Sequence, residues 1–152
     1  ADFTPAGGEP TVSEADLMVA GRFRPEELGP DRTTSRVDGY EVHLAHHAAA
    51  STTTLHVTRA GSQVDDLQPD LGAFGHLVVI RADDLGYLHV HPEESGPGPE
   101  VGFHAELAEP GRYRLFFDFK HDGRVRTADF TITSDGTGGA GGDHEEGGGH
   151  GH

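Results

Sequence analysis

Between Tyr40 and Thr133 apolar and polar positions alternate in short runs, each closed by turn residues. A period of two predicts β-strands, because successive side chains of a strand point to opposite faces. Tyr40–His47 alternates in this way, and Thr52–Arg59 is rich in β-branched residues before Ala60-Gly61-Ser62 turns the chain. His76–Arg81 carries Leu77, Val78, Val79 and Ile80, a run apolar on both faces that fits a central strand. Asp83-Asp84-Leu85-Gly86 is a turn, and Tyr87–His91 is expected as the next strand, ended by Pro92, which has no N–H to give a ladder. A Gly/Pro loop over Ser95 to Pro99 precedes a strand at Val101–Leu107. Arg112–Lys120 and Arg124–Thr133 are expected to form a hairpin across His121-Asp122-Gly123, since Asp-Gly is a strong hairpin turn. No long amphipathic helix and no internal repeat is legible. About seven short strands at this spacing predict an all-β antiparallel sandwich.

One local pattern refines that fold. Leu107-Ala108-Glu109-Pro110-Gly111-Arg112-Tyr113-Arg114-Leu115 fits the corner that leads into a late strand of immunoglobulin-like sandwiches, where a Tyr hydroxyl bonds back to the preceding backbone. Tyr113, Leu115, Phe117 and Phe119 then alternate onto one apolar face. The chain divides into an irregular lead-in over 1–37, a sandwich domain over 38–134 and a Gly/His/acidic tail over 135–152. In the lead-in, Ser13 is a candidate N-cap for a short helix and Leu17–Phe23 a candidate edge strand. The tail has no large apolar residue to offset the entropy of ordering, so the termini are expected to be flexible.

Composition bears on partners rather than on fold. The formal net charge is −15, which argues against nucleic acid and anionic lipid, both of which are bound by Lys/Arg patches. No apolar run reaches the ~20 residues of a membrane span. The sequence opens Ala-Asp-Phe-Thr with no visible signal peptide and reads as a mature or trimmed form, so an extracytoplasmic location is an indirect expectation. Cysteine is absent, Met18 is the one methionine, and histidine supplies 12 of 152 residues. Thiolate and soft sulfur sites are thereby set aside, while imidazole suits Zn, Cu, Ni and Fe.

The sharpest constellation is Tyr87-Leu88-His89-Val90-His91-Pro92. On one continuous strand His89 and His91 would share a face. His104 in Gly102-Phe103-His104-Ala105-Glu106, His76 at the head of the central strand and His121 at the hairpin turn complete the expected metal set: His76, His89, His91, His104 and His121. Glu93, Glu106 or Asp118 is a candidate ligand or acceptor that fixes an imidazole tautomer. His43, His46, His47 and His56 form a second cluster that fits a polar outer face better than a site. In the tail, His144, His150 and His152 among Asp143, Glu145 and Glu146 form a secondary, loosely organised metal-collecting tract.

Gly75–Arg81, Tyr87–Pro92, Phe103-His104, Pro110–Leu115 and Phe119–Gly123 together resemble small secreted or membrane-anchored bacterial proteins with an immunoglobulin- or cupredoxin-like sandwich. The resemblance spans roughly Leu67 to Ile132 and implies copper or heavy-metal handling at a cell surface or periplasm. Lacking Cys, the chain departs from blue-copper redox proteins, whose sites need a thiolate. The resulting expectation is an immunoglobulin-like (cupredoxin-like) module that is not an enzyme. It would bind a divalent transition metal, copper or zinc, for buffering, sequestration or delivery, with the ion and a membrane metal transporter as partners. Two alternatives stand beside it: a metal-free partner-binding module, and a cupin-type metalloenzyme suggested by His89-Val90-His91. The cupin pattern is incomplete, since Glu93 and Glu94 follow too soon and no second motif is evident near Pro110-Gly111. Neither a Gly-x-Ser-x-Gly elbow nor a phosphate-binding Gly loop is present.

Overall fold

The computed structural model describes residues 2–3, 6–9, 11–12, 18–22, 24, 26–88 and 90–136. The strands are β1 (Asp2–Phe3), β2 (Thr11–Val12), β3 (Thr34–Val37), β4 (Tyr40–His47), β5 (Thr52–Arg59), β6 (Ser62–Gln63), β7 (Gly75–Arg81), β8 (Tyr87–Leu88), β9 (His91–Pro92), β10 (Glu100–His104), β11 (Pro110–His121) and β12 (Arg124–Asp135). A 3-10 turn, Ala48–Ala50, links β4 to β5. β1 and β2 pair with each other. The rest form two antiparallel sheets, one ordered β3-β4-β5-β10-β9 with β6 beside β5, the other β12-β11-β7-β8. The protein is thus an all-β, immunoglobulin-like sandwich, as its alternation predicts.

The core lies between the two inner faces. Tyr40, Val42, Leu44, Leu55, Val57 and Phe103 of the first sheet pack against Leu77, Val79, Tyr113, Leu115, Phe117 and Phe130 of the second, all buried. Phe117 stacks on Phe119 at 5.6 Å and meets Phe103 edge-on at 6.0 Å. Gly75 is shaped by this packing: a Cβ there would come within 2.4 Å of Phe117 Cε2.

The corner motif forms as expected. Tyr113 is buried and its hydroxyl donates to Glu109 O at 2.7 Å, tying the start of β11 to the loop before it. β11 and β12 pair along their whole length, from Pro110↔Asp135 to His121↔Arg124. Asp122 (φ 49°) and Gly123 (φ 70°) alone make the turn, two left-handed residues as a tight hairpin of this twist demands.

Two boundaries differ from expectation. The sandwich begins with β3 at Thr34, inside the stretch read as lead-in, and the preceding residues are stitched to β12. Arg32 bridges Thr131, and the Asp31 carboxylate accepts from Thr133 N at 2.8 Å and from Thr133 Oγ1 at 3.0 Å. The second difference concerns Tyr87–His91, which is not one strand. β8 pairs with β7 in one sheet while β9 pairs with β10 in the other, so the chain crosses between sheets after Leu88. Alternation counted across that crossing loses its meaning. Of the lead-in elements, the Ser13 helix start lies outside the described residues, as do parts of Leu17–Phe23; residues 18–22 form no strand.

Candidate functional site

The outer face of the β3-β4-β5-β10-β9 sheet collects histidines by register. Inward positions on β4, β5 and β10 are apolar (Val42, Leu44, Leu55, Val57, Val101 and Phe103), so the alternate positions face outward. One cross-strand row runs His47↔Thr52↔His104↔His91 over four strands. Another runs Thr34↔His43↔His56↔Glu100. Directly opposed residues share a face with Cβ atoms about 4.5–5.5 Å apart. The face therefore carries His43, His47, His56, His91 and His104, with His43 opposite His56 and His91 opposite His104.

Glu93 adds a carboxylate beside the His91–His104 pair. Its N–H donates to Gly102 O at 2.9 Å, which continues the β9–β10 pairing by one residue. Its side chain lies over Gly102, since a Cβ on that glycine would come within 2.7 Å of Glu93 Oε2. Gly102 is thus the gap between Glu100 and His104 into which the Glu93 carboxylate folds. Among the described residues no three His, Asp or Glu side chains converge on one point as they stand. His91, His104 and Glu93 are exposed side chains on a shared surface, not a closed cage.

The five histidines expected as one site are not brought together. His91 and His104 meet; His89, like His144, His150 and His152 of the tail, lies outside the described residues. His76 is on β7 in the opposite sheet, paired across from Asp118, and its Nε2 is 2.9 Å from Asp70 O. His121 is buried where the hairpin end meets β4: Nδ1 is 2.7 Å from Tyr40 Oη and Nε2 is 2.8 Å from Asp66 Oδ1. Both its ring nitrogens are engaged, and the Arg126 guanidinium stacks on Tyr40 beside it at 4.6 Å. The reason for the misplacement is topological. β7 and β11 form one sheet with β8, whereas β9 and β10 belong to the other, so the sandwich core separates His76 from the His91–His104 pair. Of the other acids named as candidate ligands, Asp118 sits opposite His76.

The second cluster behaves as alternation predicts. His43 and His47 are exposed on the outer face, while His46 points the other way, with Nδ1 2.9 Å from Thr53 Oγ1 and Nε2 buried without a hydrogen-bond partner. Burial, reinforced by the neighbouring His47, lowers the His46 pKa from its ordinary 6.5. On the exposed row, His43 Nδ1 lies 3.2 Å from Thr34 Oγ1, and His56 Nδ1 lies 3.6 Å from Glu100 Oε1. The positions of Thr34 and Glu100 beside these histidines were not legible in the sequence. They follow from strand register, and β10 reaches β5 only after a connection of some 40 residues that no local pattern dates.

Residues 35–136, two thirds of the chain, match the family described as "Domain of unknown function (DUF8832)". The match coincides with the sandwich. No curated protein matches the chain. A crystal structure of a DUF4426 family protein from Pseudomonas aeruginosa PAO1 is similar in outline, with a TM-score of 0.44 and 8% identity, over 68% of this chain and 96% of that one. Neither description names a metal, so the metal-handling side of the resemblance rests on this chain's own histidines.

Proposed function

This chain belongs to the family described as "Domain of unknown function (DUF8832)", and for it we propose an extracytoplasmic transition-metal-binding role, for buffering, sequestration or delivery, without catalysis. The observation that carries the reading is His91 opposite His104 on adjacent strands, with the Glu93 carboxylate folded over Gly102 beside them. Two imidazoles and a carboxylate, with no thiolate in the chain, suit Cu(II) or Zn(II) rather than Cu(I). The ligands are solvent-facing, which fits an exchangeable ion better than a structural one. Tail histidines His144, His150 and His152 would raise the local ion concentration. A membrane transporter is the expected source or recipient, and no helix among the described residues is long and apolar enough to cross a membrane.

Calorimetric titration of the full chain with Cu(II), Zn(II) and Ni(II) tests this. The folded protein should bind at least one ion more tightly than a peptide of residues 135–152, and His104→Ala should abolish that tight event. Binding no tighter than the peptide's would overturn the reading. Because imidazole ligands must be unprotonated, binding should release protons and weaken in acid.

A metal-free partner-binding role is favoured by one separate observation. Val78, Ile80, Phe116 and Tyr87 are outward neighbours on the β7-β8-β11 face, with Val78 36% and Tyr87 48% exposed. The cupin-type enzyme reading loses its basis, because the strand that would hold His89-Val90-His91 is divided between the two sheets.

A further inference from the structure

The His43–His56 row has features that a merely polar face does not need. Two imidazoles sit directly opposite each other on β4 and β5. Each is flanked on its far side by an oxygen-bearing side chain from the next strand out: Thr34 of β3 beside His43, and Glu100 of β10 beside His56. In both cases the flanking oxygen approaches Nδ1, at 3.2 Å for Thr34 Oγ1 and at 3.6 Å for Glu100 Oε1, the second slightly longer than a hydrogen bond. The side chains of His56 and Glu100 are partly solvent-exposed, at 29% and 66%. Metal-binding histidines commonly donate the ring N–H that is not bound to the ion to a carboxylate or another oxygen acceptor, which fixes the tautomer and makes the other nitrogen more basic. An Nδ1–H directed at Thr34 and at Glu100 would leave the Nε2 lone pair of each ring available to an ion.

We propose that the row Thr34–His43–His56–Glu100 is a second divalent transition-metal site, in which His43 and His56 are ligands through Nε2 while Thr34 and Glu100 orient their rings. It rests on the metal-binding reading given above but uses none of the same side chains. His43 and His47 are four residues apart on β4, so the two rows are separated by about 13 Å along the strands. The sheet face would therefore carry two ions that share no ligand. Two cis imidazoles with the remaining positions open to water are compatible with Cu(II) or Ni(II), whose tetragonal geometry takes nitrogen and oxygen donors.

The test uses the full chain with His144, His150 and His152 replaced by alanine, so that the tail contributes nothing. Cu(II) is titrated calorimetrically for stoichiometry, and Ni(II) broadening of backbone amide resonances locates each ion. Thermal unfolding checks that each variant is folded. Two ions are expected. His56→Ala should remove one ion together with the broadening around residues 34, 43 and 100, leaving that around residues 91 and 104. His104→Ala should do the converse. Glu100→Gln should weaken the first of these sites about tenfold, as loss of an orienting acceptor does. One ion, lost in His104→Ala and unaffected by His56→Ala, would overturn the second site while leaving the proposed function standing. One ion, lost only in His56→Ala, would keep this site and overturn the His91–His104 one. No ion at all would overturn both.

Discussion

The Tyr40 hydroxyl meets His121 Nδ1 at 2.7 Å inside the sandwich, joining the second strand of one sheet to the hairpin end of the other. The same ring reaches Asp66 on the loop after β6. This makes His121 a structural tie, which leads to a prediction that separates it from the metal set. His121→Ala removes a buried ring and strands a buried phenol hydroxyl, so it should cost about 2–4 kcal/mol in urea unfolding. Tyr40→Phe, which removes only the hydroxyl, should cost about 1 kcal/mol. Neither variant should change the number of ions bound. A lost ion in His121→Ala, with the fold intact by circular dichroism, would return His121 to the ligand list.

Gly102→Ala isolates the role of Glu93. The new methyl occupies the place where Glu93 Oε2 now lies, at 2.7 Å, while the next contacts, Glu93 Cβ and Cδ, are at 3.4 and 3.5 Å. A flexible carboxylate can swing away at little cost, so stability should stay within about 0.5 kcal/mol of the parent. Ion affinity at His91–His104 should fall several-fold, and Glu93→Gln should reproduce the loss. Unchanged affinity in both variants would remove Glu93 from the site.

The strands were legible because their inward positions repeat every second residue without interruption. Tyr40–His47 and Thr52–Arg59 coincide with β4 and β5. Tyr113 was legible because a corner is a local feature: its acceptor, Glu109 O, is four residues away. The site was not legible in the same way. Whether His76 and His104 share a surface depends on which sheet each strand joins, and that is decided by pairing between segments far apart in sequence. The crossing after Leu88 is the specific failure. A run that reads as one strand, Tyr87–His91, spends its first two residues in one sheet and its last in the other. In the sequence His43, His46, His47 and His56 fit a polar outer face; only register sets His43 and His56 opposite one another, between Thr34 and Glu100.

Gly75 and Tyr113 offer checks on the fold itself. Gly75→Ala places a methyl 2.4 Å from Phe117 Cε2 and 3.3 Å from Val101 Cγ1, both on buried side chains. Overpacking of this kind should cost about 1–3 kcal/mol. Tyr113→Phe leaves the Glu109 carbonyl without its donor and should cost about 1 kcal/mol. Denaturant midpoints measure both. A Gly75→Ala protein as stable as the parent would mean that the Phe117 ring does not lie against Gly75 as described.

His46 should make the fold acid-sensitive. Its ring faces inward against Thr53, and burial, then the charge of His47, lowers its pKa below 6.5. The folded state therefore binds this proton less readily than the unfolded chain does. The stability it contributes is complete above pH 6.5 and is lost as pH falls from there towards the lowered value. Unfolding free energy measured across that window should decline, and His46→Gln, which keeps a polar partner for Thr53 but cannot titrate, should decline less steeply. Metal bound at the two proposed outer rows would add a separate acid-sensitive term, because its ligands would also bind protons, so the comparison is made in chelator. Parallel slopes for the two proteins in chelator would show that His46 is not the group that titrates.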